Sequence, residues 1–194
     1  MAISTDTTHP TLIGTLWPVR ASPALRWIAL VVAGSLFLAV CAQISVPLYP
    51  VPITMQTFGV LLIGMAFGSR LGAATVALYL FEGAVGLPVY AGLGSGLPVL
   101  FGVTGGYLFG FVIAAWLVGM LAERGWDRNV LTTALAMLLG NIVLYVPGLI
   151  WLAGFIGSEQ AIAGGLLPFI LGDFLKLALA AALLPSAWML LRRR

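Results

Sequence analysis

The sequence predicts an all-α membrane protein in which six helices cross the bilayer. Hydrophobic residues make up 61% of the 194 residues, charged residues make up only 8%, and the mean hydropathy is +1.11. Apolar runs of about 20 residues have the length of a membrane-spanning helix, and a soluble domain of this size does not need so much apolar surface. A third observation is that six spans place every arginine on one side of the bilayer.

The six predicted spans follow one another along most of the chain. In chain order they are 26–44, 54–67, 71–87, 104–122, 131–155 and 162–191. The second span is short and begins with Thr and Gln, and the sixth is long enough to tilt or to project beyond the bilayer. Residues 25–194 are expected to form one six-helix transmembrane domain. Residues 1–24 are expected to form a tail that is disordered or lies at the membrane interface.

The arginines predict the orientation of the chain. They stand before the first span, between the second and third, between the fourth and fifth, and at the end of the chain: Arg20, Arg26, Arg70, Arg124, Arg128, Arg192, Arg193 and Arg194. The connections on the opposite side contain no Lys or Arg. Because positive residues accumulate on the cytoplasmic side, both termini are predicted to be cytoplasmic.

Two connections on the predicted outer side are apolar and rich in Gly and Pro. The first loop, 46–52, contains three prolines, and the second loop, 86–98, carries no charge. Short turns at the membrane surface are one interpretation. Uncharged irregular segments of this kind also line cavities, and the length of the second loop favours a lid over a pocket that opens outwards.

Two charges interrupt the last apolar stretch. Asp173 and Lys176, the only lysine, are three residues apart and therefore share one helix face. Charged groups at membrane depth are costly, so the pair either holds helices together or binds a ligand. Asp173 precedes Leu191 by 18 residues, which is about 27 Å along a helix. The pair is therefore expected in the outer half, level with the two loops.

Other polar residues lie within the predicted spans. Asn141 and Tyr145 share a helix face in the fifth span, Thr54 and Gln56 begin the second, and Glu82 lies in the outer half of the third. A lone Asn in a membrane usually bonds a neighbouring helix, and Thr and Gln at a helix start often cap it. Alternatively, these groups converge on the same outward-facing pocket as the charged pair.

The sequence offers no catalytic constellation. Phe174 and Leu175 precede the lone lysine, so no G-x-x-x-x-G-K-[ST] phosphate loop is present. The sole histidine, His9, lies in the predicted tail, which excludes Ser-His catalysis and His-based metal sites within the membrane. The chain is therefore predicted not to be an enzyme and to need no metal or cofactor. Cys41 is the only cysteine, so an internal disulfide is excluded.

Five stretches resemble the signature of the BioY family, the biotin-specific S components of energy-coupling factor (ECF) transporters. They are VPITMQT at 51–57, GLPVYAG at 86–92, TGGYLFGF at 104–111, GNIVLYVPG at 140–148 and PFILGDFLK at 168–176. The resemblance implies a six-helix fold and high-affinity biotin binding near the outer face of a bacterial cell membrane. It also implies a membrane T component and two ABC ATPases as partners.

The resemblance assigns the biotin head group to Asp173, Lys176 and Asn141, which together accept from N–H groups and donate to a carbonyl. Tyr90, Tyr145 and Trp151 are candidates for packing against the rings and the chain. The carboxylate has Gln56, Thr54 or loop amides as candidate partners, because the second loop carries glycine where some relatives carry a polar or basic side chain.

Small residues in the first span suggest a docking surface for another helix. They follow a small-x-x-x-small pattern at Ala29, Ala33, Ser35 and Ala39, and such a motif meets the T component in S components generally. Two other functions stay open from the sequence. One is a solitary biotin transporter without ATPase partners, and the other is a structural membrane protein whose charged pair only joins helices.

Overall fold

The computed structural model describes residues 9–17 and 22–192, which are mostly helical. The α-helices of this part of the chain are α1 (Leu12–Leu16), α2 (Pro23–Gln43), α3 (Gln56–Phe67), α4 (Ser69–Ala84), α5 (Leu97–Leu100), α6 (Gly105–Glu123), α7 (Val130–Ile156), α8 (Ser158–Gly165) and α9 (Phe169–Arg192). Short 3₁₀ turns occupy Ala91–Leu93 and Trp126–Arg128. Two-residue strands β1 (Ser45–Val46) and β2 (Ile53–Thr54) pair antiparallel, with Ser45 opposite Thr54.

Four of these helices, α2, α6, α7 and α9, are long and apolar enough to cross a membrane. The second and third predicted spans correspond to the shorter helices α3, of 12 residues, and α4, of 16 residues. The prediction that the sixth span begins near Ile162 is wrong, because α8 ends at Gly165 and α9 begins only at Phe169. Pro168 explains the break, since it lacks an N–H and disfavours the helical conformation of the residue before it.

Helix α6 lies at the centre of the bundle and packs against α3, α4 and α7. Glycines bring these helices into backbone contact. A Cβ on Gly106 would lie 2.3 Å from Cβ of Trp151, and a Cβ on Gly64 would lie 2.5 Å from the carbonyl oxygen of Ala115. Helix α9 packs against α7 and α3, whereas α2 packs against α4 and α3. This arrangement leaves the interior between α3, α6, α7 and α9.

Part of the predicted tail is folded against the arginine end, the end of the bundle that carries Arg26, Arg70, Arg124 and Arg128. Thr11 caps α1 by accepting a hydrogen bond from the amide of Gly14 at 3.3 Å. The amide of His9 donates to the carbonyl of Glu123 at 2.7 Å, and Arg26 donates to the carbonyl of Ile13 at 3.2 Å. Residues 1–8 and 18–21, which also belong to the predicted tail, lie outside the described part, as do Arg193 and Arg194.

A buried carboxylate closes the arginine end between α6 and α7. Asp127 is fully buried, and its Oδ2 accepts a hydrogen bond from Nε1 of Trp188 at 2.5 Å. Its Oδ1 has no hydrogen-bond partner among the described residues. The guanidinium of Arg128 lies 4.6 Å from the centre of the Trp188 ring. Burial raises the pKa of Asp127, although the Trp188 hydrogen bond and the charges of Arg128 and His9 act in the opposite direction.

The raised pKa of Asp127 predicts a pH dependence of stability. The folded state holds this proton more tightly than the unfolded chain, in which an Asp has a pKa of about 3.9. The contribution of Asp127 is therefore greatest below that pH and decreases as the pH rises through the folded-state pKa. We expect the melting temperature of the purified protein to fall over this interval relative to that of Asp127→Asn, which does not titrate. If the melting temperatures of the two proteins instead changed in parallel between pH 4 and pH 8, the raised pKa of Asp127 would be contradicted.

Candidate ligand-binding site

A cavity of about 240 Å³ lies at the end of the bundle opposite the arginines, which we call the pocket end. Both loops and helices α3, α6, α7 and α9 contribute to its walls. They do so through Val51, Pro52, Thr54, Gln56, Thr57, Tyr90, Ala91, Val99, Thr104, Tyr107, Leu108, Phe111, Leu144, Tyr145 and Phe169. Most of these side chains are aliphatic or aromatic, and the polar groups cluster at the start of α3. The cavity therefore suits a small molecule with an apolar body and a few polar groups.

An ion pair lies behind the deep wall of the cavity. Lys176 Nζ is 3.0 Å from Asp173 Oδ1, and both side chains are buried. Lys176 also donates to Oγ1 of Thr57 at 2.8 Å, and the same hydroxyl is 3.4 Å from Asp173 Oδ1. The hydroxyl of Tyr145 donates to Asp173 Oδ2. Thr57 and Tyr145 both line the cavity, so hydrogen bonds from two wall residues connect the cavity to the charges.

A chain of hydrogen bonds fixes one side wall. Thr54 Oγ1 donates to Gln56 Oε1 at 3.0 Å, and Gln56 Nε2 donates to the hydroxyl of Tyr79 at 2.6 Å. That hydroxyl in turn donates to the carbonyl of Val89 at 3.1 Å. These hydrogen bonds connect the start of α3, through Tyr79 of α4, to the second loop. They also hold the polar groups of Thr54 and Gln56 together.

Tyr90 of the second loop forms a further wall of the cavity and is itself almost completely buried. Its hydroxyl donates to the carbonyl of Leu80 at 2.6 Å. Its ring meets the ring of Tyr79 edge to face, with centroids 5.6 Å apart and planes at 80°. The ring also lies directly against Gly83, where a Cβ would come within 2.1 Å of Tyr90 Cζ. Tyr90 therefore anchors the second loop to α4 and also lines the cavity.

Three aromatic rings form the opposite wall. Tyr145 contacts Tyr107 edge to face, with centroids 6.0 Å apart, and contacts Phe169 in the same manner at 6.2 Å. The hydroxyl of Tyr107 donates to the carbonyl of Gly165 at 3.0 Å. These contacts join α6, α7 and the start of α9. Tyr145 thus packs against two rings and directs its hydroxyl to the carboxylate of Asp173.

The structure brings most of the predicted ligand-binding residues together. Thr54, Gln56, Tyr90 and Tyr145 line the cavity, and the ion pair lies directly behind Thr57 and Tyr145. Asn141 lies beyond Tyr145 instead, where Asn141, Tyr145 and Asp173 line a second, apolar groove of about 530 Å³ between α7 and α9. Its Oδ1 is buried and has no hydrogen-bond partner in the described part of the chain.

Other sequence-based expectations need correction. Trp151 does not line the cavity, because its indole donates to the carbonyl of Gly102 at 2.9 Å and its ring packs between Phe109 and Phe155. Glu82 does not converge on the cavity either: its Oε1 accepts a hydrogen bond from Ser35 at 3.0 Å.

The same contact places Ser35 inside the bundle. Ser35 is fully buried between α2 and α4, so it cannot form part of an exposed docking face on α2. Ala33 is exposed, and Ala29 and Ala39 are partly exposed. An α2 surface built from these alanines therefore stays available, whereas the serine of the pattern makes an intramolecular contact.

Three important residues of the site were not singled out from the sequence. Thr57 holds both charges, and Tyr107 and Phe169 complete the aromatic wall. The available signal for Thr57 was its place in a cluster with Thr54 and Gln56 at the start of an otherwise apolar helix. Tyr107 and Phe169 lack such a signal, because aromatic residues are frequent throughout apolar spans.

Comparison with known proteins gives consistent similarities. A family model described as BioY family matches residues 12–193. A probable biotin transporter BioY of Pyrococcus horikoshii is 42% identical over 142 residues, which cover 73% of this chain and 83% of that protein. The biotin transporter BioY of Thermotoga maritima is 39% identical over 145 residues, covering 74% and 85%.

One solved structure has the same fold. It is the crystal structure of the S-component for biotin from an ECF-type ABC transporter, which matches with a TM-score of 0.75 at 24% sequence identity. The match covers 88% of this chain and 93% of that chain.

Proposed function

This chain belongs to the BioY family, and on that premise we propose that it binds biotin in the cavity at the pocket end and serves biotin uptake across the cell membrane. The observation that carries the proposal is the buried Asp173–Lys176 ion pair beside an apolar cavity, to which it is connected by hydrogen bonds with the wall residues Thr57 and Tyr145. A buried pair of this kind supplies one acceptor and one donor at a single point of an otherwise apolar site.

The chemistry of biotin matches this arrangement. Its ureido head has two N–H donors and one carbonyl acceptor, and its chain is aliphatic. In the proposed complex, Asp173 accepts from the N–H groups and Lys176 donates to the carbonyl, while Thr57 and Tyr145 turn away from their present partners. Charge-assisted hydrogen bonds are roughly twice as strong as neutral ones. The aliphatic chain then lies among Tyr107, Tyr145 and the other apolar walls.

The remaining assignments follow the same proposal. The biotin carboxylate is assigned to the polar group formed by Thr54 and Gln56 or to amides of the second loop. Asn141 is assigned to the head group on condition that Tyr145 moves, because Tyr145 stands between Asn141 and the cavity. Trp151 is not retained as a direct contact, because it does not line the cavity and its indole donates to the carbonyl of Gly102.

The proposed setting is a six-span protein of the bacterial cell membrane. The arginine end faces the cytoplasm and the pocket end faces outwards, as expected from the positive-inside rule. In this setting the chain acts as an S component, with a membrane T component and two ABC ATPases of an ECF module as partners. The alanines at 29, 33 and 39 on α2 are the proposed contact for the T component, since small side chains allow close helix approach.

Calorimetric titration of the purified protein tests the proposal. Biotin is expected to bind with one-to-one stoichiometry, and an analogue methylated at a ureido nitrogen is expected to bind at least about a hundredfold more weakly, because a buried acceptor then loses its donor. Biotin methyl ester serves as the matched control, since it keeps the head group intact and changes only the carboxylate. Absence of biotin binding would overturn the proposal, and equal affinity for the methylated head group would overturn the assignment of the ion pair.

A further inference from the structure

The last residue of α2 connects this helix to the second loop. Gln43 Nε2 donates to the carbonyl of Tyr90 at 3.0 Å, and Gln43 Oε1 accepts from the amide of Leu93 at 3.1 Å. A weaker bond from Nε2 to the carbonyl of Ala39, at 3.3 Å, orients the amide group on its own helix. Every hydrogen-bonding group of this side chain is therefore engaged, and two of the three partners belong to the loop.

Two backbone hydrogen bonds close the turn itself, from the amide of Tyr90 to the carbonyl of Gly94 at 3.1 Å and from the amide of Gly94 to the carbonyl of Ala91 at 3.2 Å, and neither joins it to another helix. Gly92 and Leu93 both have positive φ, of 64° and 60°. Such a conformation costs a non-glycine residue about 1–2 kcal/mol, and the Leu93 side chain is 65% exposed, so its burial does not offset that cost. The conformation of the 3₁₀ turn therefore depends on its hydrogen bonds, which include the bond from Leu93 to Gln43.

This segment is also part of the cavity. Tyr90 and Ala91 are cavity walls, and they lie directly before the two residues with positive φ. The side chain of Tyr90 is tied to α4 through Leu80, whereas its backbone carbonyl is tied to α2 through Gln43. The wall is thus held from two helices, and of these two attachments only the one through Gln43 reaches the turn at 91–93. Beyond the turn, the amide of Gly96 donates to the carbonyl of Gly83 in α4 at 2.7 Å.

We propose that Gln43 is a positioning residue for the binding site, which latches the turn at 91–93 onto α2 and thereby keeps the second loop closed against bound ligand. The identity of that ligand as biotin rests on the function proposed above. Because Gln43 touches the loop backbone and not the cavity, it acts on how long the ligand stays rather than on which ligand is recognised.

Stopped-flow kinetics with biotin test the latch. Loss of two hydrogen bonds is expected to speed biotin dissociation about tenfold in Gln43→Ala and in Gln43→Met, and to leave the association rate within about twofold of that of the unaltered protein. Gln43→Met keeps the length of the side chain and removes only its hydrogen bonds. Val40→Ala is the matched control, because Val40 is exposed on the same end of α2 and has no hydrogen bond to the loop. This control is expected to dissociate at the unaltered rate.

Amide hydrogen exchange of the ligand-free protein separates the latch from the proposed function. The amide of Leu93 is expected to exchange faster in both Gln43 variants than in the unaltered protein and in Val40→Ala, whether or not biotin binds. Unchanged exchange at Leu93 would overturn the latch. Faster exchange together with an unchanged dissociation rate would equally overturn it, since the turn would then be free without opening the site. A failure of the unaltered protein to bind biotin would instead count against the proposed function alone.

Discussion

Simultaneous replacement of both members of the ion pair, as Asp173→Asn with Lys176→Met, is expected to give a folded protein that has lost biotin binding by about a thousandfold or more. The double variant removes the charges together, so no unpaired charge stays buried, and neutral replacement of a buried pair is often tolerated. Two to three charge-assisted hydrogen bonds to the head group are lost at once, each contributing about 1.5–3 kcal/mol. Calorimetry and thermal unfolding measure the two effects separately.

The single replacements provide the comparison. Lys176→Met alone leaves the carboxylate of Asp173 buried and without its counter-charge, which is expected to lower the free energy of unfolding by about 3–5 kcal/mol. The double variant should recover most of that stability without recovering binding. If it instead bound biotin as tightly as the unaltered protein, the pair would only join α3 to α9 through Thr57, and the site would have to be sought elsewhere.

Gly83→Ala is expected to abolish binding through the wall that Tyr90 forms. The new Cβ would lie 2.1 Å from Cζ of Tyr90 and within 2.5 Å of two further ring atoms. The ring has little room to shift, because the Tyr79 ring packs edge to face with it and its hydroxyl donates to the carbonyl of Leu80. We expect the Tyr90 ring to leave its site, a loss of about 3 kcal/mol in the free energy of unfolding, and affinity for biotin reduced at least about a hundredfold.

Gly154→Ala is the matched control for that experiment. Gly154 lies in α7, and a Cβ there would have no atom within 4 Å. This variant is expected to bind biotin normally and to be as stable as the unaltered protein or about 1 kcal/mol more stable, because Ala favours a helix over Gly. Normal affinity in Gly83→Ala would show that Tyr90 is not a wall of the occupied site.

The sequence predicted the helices well where hydropathy and arginines acted together. Helices α2, α6 and α7 lie close to the predicted spans, since each is a long apolar run with an arginine at or near one end. The break before α9 was missed, because Pro168 lies in a run that is apolar on both sides and hydropathy alone does not register it. The strands β1 and β2 were missed because two residues are too few to show an alternating pattern.

For the site, the sequence identified the charged residues better than it identified which side of each helix faces its neighbours. The spacing of Asp173 and Lys176 predicted that they share a helix face, and the ion pair at 3.0 Å confirms it. The placement of Ser35 and Trp151 was not predictable, because a helix that is apolar on every side gives no periodic signal for which side meets a neighbour. The contact of Thr57 with both charges joins residues 116 and 119 positions apart, a separation at which the pattern of a single chain carries no pairing information.

The hydroxyl groups of Thr57 and Tyr145 already bond to the two charges that the proposed ligand would bind. Thr57 already occupies a hydrogen of Lys176, and Tyr145 already occupies an oxygen of Asp173. In the proposed complex, biotin therefore replaces hydrogen bonds within the protein, and its affinity is the difference between the two sets of bonds. The same two hydroxyl groups provide hydrogen-bond partners for the buried charges when no ligand is bound. The ion pair is therefore compatible with its place in an apolar bundle.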